Sequence, residues 1–82
     1  MPYVAPDRRP ALDTIVEIMA LNDIKIDGDL NYILYAYCKR HVKPSYNNLK
    51  NYLGELNECS EEIRRTILGS YEEIKRKENG NV

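Results

Sequence analysis

The sequence predicts an all-α protein of three helices, the last of them long, in antiparallel helical packing. Three observations carry this expectation. Apolar residues recur at steps of three and four along most of the chain. No proline follows Pro44, so nothing in the rear half breaks a helix. The one stretch with strand-like alternation, Ile24 and Ile26 in NDIKIDGD, is too short for a sheet and reads as a loop whose isoleucines tuck inward.

Residues 1–6, MPYVAP, hold two prolines and read as an extended arm. Asp7 is the expected cap of a first helix reaching about Leu21. Leu12, Ile15, Val16 and Met19 give that helix one apolar face. The second helix starts near Gly28 or Asp29 and ends before Pro44, with Lys39, Arg40, His41 and Lys43 at its C-terminal end, where the helix dipole favours cations. At about 100° per residue, Leu30, Ile33, Leu34, Tyr37, Cys38 and His41 share one face, and Tyr32, Tyr35 and Lys39 gather on the other.

Ser45 can cap the third helix. Its seam of Leu49, Leu53, Leu56, Ser60, Ile63, Ile67, Ser70 and Ile74 alternates steps of four and three, the pattern of a helix packed lengthwise on others. Glu61 with Arg65, Glu72 with Arg76, and Glu73 with Lys77 stand four apart in the favourable order and describe a solvated outer face. Gly54 and Gly69 leave the continuity of this helix open. Residues 78–82 form a C-terminal tail, in which Asn79 and Gly80 can stop the helix in the left-handed conformation. The short turn at Pro44 sets the second helix antiparallel to the front of the third and leaves the first helix for its rear.

At 82 residues the chain is one small domain, 1–82, of a size that buries only about 60% of its unfolded surface. Nothing within it covers Tyr32 and Tyr35, so a homo-oligomer is expected, or a partner on that face. All seven aromatic residues are tyrosines, the aromatic suited to surfaces half buried and half wet. A net charge of −1 argues against a broad basic field and so against sequence-specific nucleic-acid binding. No apolar run approaches the roughly 20 residues that span a bilayer, and the expected location is the cytoplasm. Cys38 and Cys59, without CxxC spacing, read as reduced thiols.

Catalytic chemistry does not assemble. The single histidine, His41, sits beside Arg40 and Lys43 with no orienting carboxylate near it in sequence. Glu55, Glu58, Glu61 and Glu62 place carboxylates on successive turns, as magnesium-dependent pyrophosphatases do, but the second acidic helix such sites require is missing. The reading is therefore no enzyme, no cofactor and no metal site. Binding needs less. Arg64, Leu68, Tyr71 and Lys75 follow one flank of the third helix, which sets a tyrosine ring between two cations, suited to an anion that carries a flat base. Tyr32, Tyr35 and Lys39 make a similar interface patch.

The residues also carry a resemblance. MPY at the start, Leu12-Asp13, GDLNY at 28–32, Leu53-Gly54 with Leu56, Glu62, Arg65 and the ending YEEIKRKENGNV are similar to a family of short uncharacterised proteins, a domain of unknown function, in bacteriophages and bacterial genomes. The likeness spans nearly the whole chain. It departs from the family pattern at Glu58, where cysteine is usual, at Thr66, where arginine is, and at Ser70, where proline is. Polar positions shared with that family include Asn31, Tyr32, Arg65, Tyr71, Glu72, Lys75 and Asn79. The resemblance implies a phage protein that acts in the host cytoplasm by binding.

Joined to the binding flank, this gives an expected ligand set of Asn31, Tyr32, Arg64, Arg65, Tyr71 and Lys75. Arg65 lies about 100° around the helix from Arg64, so one pocket using all of them needs a neighbouring chain. The expected function is a non-enzymatic homo-oligomer that counters host defence, by sequestering a nucleotide-like anionic signal or by blocking a host defence protein. The alternative is a structural accessory subunit whose tyrosine face is a protein interface.

Overall fold

The fold is that of a computed structural model, which describes residues 4–80. Positions 1–3 of the expected arm and positions 81–82 of the expected tail lie outside those residues. Among the described residues the secondary structure is all helical: α1 (Arg9–Leu21), α2 (Gly28–His41), and a third helix built from α3 (Tyr46–Glu62), a π-helical segment (Ile63–Leu68) and α4 (Gly69–Glu78). The third helix is 33 residues long. The chain divides into two compact units, which within the described residues are 4–49 and 50–80.

In the first unit, α1 begins without the expected Asp7 cap. Its capping position is Arg8, whose side chain makes no cap bond. A capping side chain accepts from the second or third helical N–H, and Pro10 in the first turn has no N–H to give. A preceding turn takes over the role. Arg8 N–H donates to Ala5 O at 3.0 Å, Arg9 N–H to Pro6 O at 3.4 Å, and Arg9 Nε to Val4 O at 2.9 Å.

The far end of α1 is closed by Asp23 in the left-handed region at φ 58°. Asp23 N–H donates to Ala20 O and Ile24 N–H to Met19 O, the bond pair that satisfies the last carbonyls of a helix. Ile24 and Met19, the apolar residues that flank this stop, are both half-buried. Ile26 is not tucked inward as expected but is 93% exposed. It lies in the turn just before Asp27, the capping residue of α2, at φ −128° and ψ −100°.

Asp27 accepts from Gly28 N–H at 2.6 Å, and Asp29 reaches back to Lys25 N–H at 3.1 Å, so two carboxylates fasten the entry of α2. On the α2 face that groups Leu30, Ile33, Leu34, Tyr37, Cys38 and His41, the aliphatic residues and Cys38 are half-buried, while Tyr37 and His41 are exposed. Their rings pair with each other instead, centroids 5.4 Å apart and tilted by 42°. Ala36 is the one buried residue among those described. At the start of α3, Ser45 Oγ accepts from Asn48 N–H at 3.1 Å, the expected cap, and Asn48 Nδ2 adds a bond to Lys43 O.

In the second unit, the helix runs through both glycines. Its irregularity lies between them. Gly69 N–H donates to Arg64 O, five residues back, and Thr66 Oγ1 donates to Glu62 O at 2.7 Å. A hydroxyl at that carbonyl competes with the ordinary backbone bond four residues on, which favours the wider turn. The helix ends at Asn79, with Gly80 at φ 81°. The ion pairs of the outer face form at a spacing of three rather than the expected four: Arg65 with Glu62, Arg76 with Glu73 at 3.4 Å, and Lys75 with Glu78 at 3.1 Å. Both spacings bring side chains to the same helix flank, and exposed pairs of either kind contribute only about 0.2–0.5 kcal/mol each.

Candidate functional site

The expected site residues fall into the two units and are placed within each. Asn31, Tyr32, Tyr35 and Lys39 stand on α2, all exposed. Tyr32 joins a hollow of about 260 Å³ with Ile33, Ala36, Tyr37, Arg40 and His41. Tyr35 and Lys39 line a second hollow of about 290 Å³ with Cys38, Val42, Pro44 and Leu49.

The first hollow has a polar rim over an apolar floor. Arg40 Nη2 donates to Tyr32 Oη at 3.1 Å across two helical turns, while the Tyr37 and His41 rings form the other wall. Its guanidinium keeps further N–H donors for an acceptor. Sequence reasoning missed Arg40, although Tyr32, Ala36 and Arg40 recur at steps of four and their coincidence on one face was readable. The second hollow is likewise largely apolar and opens beside Cys38, a free and half-buried thiol.

In the rear unit, Tyr71 and Lys75 come together as the four-residue step predicts. Lys75 Nζ lies 5.7 Å from the centre of the Tyr71 ring and also reaches Glu78, so ring and carboxylate share one ammonium. Arg65 is paired with Glu62. Arg64 is exposed, and its carbonyl takes the π-type bond from Gly69. Part of the cationic flank is thus neutralised by carboxylates of its own helix.

A family described as a domain of unknown function, DUF6899, has a model that matches residues 1–82. The chain belongs to this family. No curated protein and no solved structure matches it. In this member of DUF6899, no group of three or more His, Cys, Asp or Glu side chains among the described residues is arranged to hold a metal ion. No helix among those residues is long and apolar enough to cross a membrane. What the DUF6899 chain does present is aromatic and aliphatic surface. Tyr32, Tyr35, Tyr37, Tyr46 and Tyr71 are all more than half exposed, and so are Ile15, Val16, Ile18 and Leu21 on α1.

Proposed function

We propose that this chain is a non-enzymatic binding protein that works as a homo-oligomer. The observation that supports the reading is the run of apolar and aromatic side chains left exposed within each unit, among them Ile15, Val16, Ile18 and Leu21 on α1 and Leu53, Ile67 and Tyr71 on the third helix. Surface of this kind, rich in Ile, Leu and Tyr, is stable in water when another chain covers it.

The narrower reading rests on the resemblance to short phage proteins. A phage protein of this kind counters host defence in the host cytoplasm by holding a nucleotide-like anion, or by blocking a host defence protein. The α2 hollow with Arg40, Tyr32 and His41 offers donors and ring faces to such an anion, as does the flank of Arg64, Tyr71 and Lys75. The second hollow, with its apolar lining around Tyr35, favours the alternative of an accessory subunit that docks another protein there.

Native mass spectrometry, alone and with a panel of cyclic and linear signalling nucleotides, tests these readings. An oligomer that gains a stoichiometric nucleotide mass, and loses it in the Tyr71→Ala or Arg40→Ala variants with helix content unchanged, supports the sequestering protein. An oligomer that binds no nucleotide moves the assignment to a protein partner. A monomer at micromolar concentration sinks the proposal.

A further inference from the structure

We infer that the rear helix, residues 50–78, is the self-association surface, and that its occupant is a second copy of the same helix running antiparallel. The inference rests on the homo-oligomer reading above and names the face and the orientation that reading leaves open.

The face follows from the π-helical segment. A turn closed by bonds five residues apart holds one residue more than an α-turn, so everything beyond it is rotated back by about one residue, or about 100°. The seam of Leu53, Leu56, Ser60 and Ile63 therefore continues not through Ile67, Ser70 and Ile74 but one position on, through Leu68, Tyr71 and the stem of Lys75. Exposure agrees with this shift, since Leu68 is 42% exposed and Ile67 is 67% exposed. The π turn thus removes a serine from the rear of the stripe and installs a tyrosine. Leu53, Ile63 and Tyr71 of this stripe are also exposed, and Leu56 is half-buried.

The orientation follows from charge. Residues 55–62 carry Glu55, Glu58, Glu61 and Glu62 with no base, a net charge of −4. Residues 64–78 carry Arg64, Arg65, Lys75, Arg76 and Lys77 against Glu72, Glu73 and Glu78, a net charge of +2. Parallel copies set each block against its like. Antiparallel copies set the acidic block against the basic end, and a two-fold axis through the π-helical segment (Ile63–Leu68) brings seam position 56 opposite 75 and 60 opposite 71. Like charges placed across an interface suppress the wrong register, so the same pattern selects against the parallel pair.

The test uses full-length chains with Cys38→Ser and Cys59→Ser. One carries Leu56→Cys and the other Lys75→Cys, and the two are mixed in a glutathione redox buffer. The expected result is a mixed 56–75 disulfide at least tenfold more abundant than either same-site product. Same-site products in excess, or the statistical ratio, overturn the inference. A second arm compares Leu68→Glu with Ile67→Glu by native mass: Leu68→Glu should dissociate the oligomer and Ile67→Glu should leave it intact, and the reverse overturns the proposed face. A wild-type monomer sinks the homo-oligomer reading itself, whereas an oligomer with scrambled disulfides sinks only this inference.

Discussion

Diluting the protein should unfold it. If the exposed apolar and aromatic side chains of each chain are covered by other copies, folding and association are one equilibrium, and the melting temperature depends on chain concentration. At about 0.7 kcal/mol per residue, two chains of 82 residues unfold with an enthalpy near 115 kcal/mol. For a dimer the van't Hoff relation then gives a rise of about 4 °C in Tm for each tenfold increase in concentration near 60 °C. A hexamer, in which five of every six chains contribute a concentration term, gives about 7 °C. Circular dichroism melts at 222 nm, from about 1 to 100 μM in one buffer, read the slope directly. Over that range a dimer should shift by about 9 °C. A Tm constant within about 1 °C, together with a monomeric mass at every concentration, would refute the argument that this surface is completed by self-association.

Three further outcomes are expected. Ser45→Ala removes the hydroxyl that accepts from Asn48 N–H and should cost about 1 kcal/mol, read as a Tm lower by about 4–8 °C; an unchanged Tm would show that the cap contributes nothing. Asp23→Gly relieves a left-handed residue at φ 58° and should raise stability by a few tenths of a kcal/mol up to about 1 kcal/mol, measured as a higher urea midpoint with an unchanged m-value. Cys59 is exposed and Cys38 half-buried, so a thiol reagent should modify Cys59 first. Peptide mapping after brief exposure would contradict this if Cys38 carried the label.

Much of the fold was legible because helices are written locally. The breaks at Asp27 and Pro44, the Ser45 cap, the dipole-matched Lys39, Arg40 and His41, and the Gly80 stop each act within a few residues of where they stand, and the structure keeps all of them. The Asp7 cap was misread for an equally local reason, the N–H that Pro10 lacks. The site was less legible. The pairing of Tyr71 with Lys75 follows from a four-residue step, but the bond from Arg40 to Tyr32 spans two turns, beyond the reach of a one-turn pairing rule.

The sequence by itself determined that the chain is helical, where each helix begins and ends, and which side chains share a turn. Each of these is fixed by hydrogen bonds and sterics over four residues or fewer. Only the tertiary structure decided that Ile26 faces water, that Tyr37 is exposed, and that a π-helical segment, Ile63–Leu68, interrupts the long helix. The physical reason is that periodicity specifies which residues lie together on a helix but not what lies opposite them. A carbonyl such as Glu62 O, with a hydroxyl and a backbone N–H competing for it, can turn the stripe without changing a letter of the pattern.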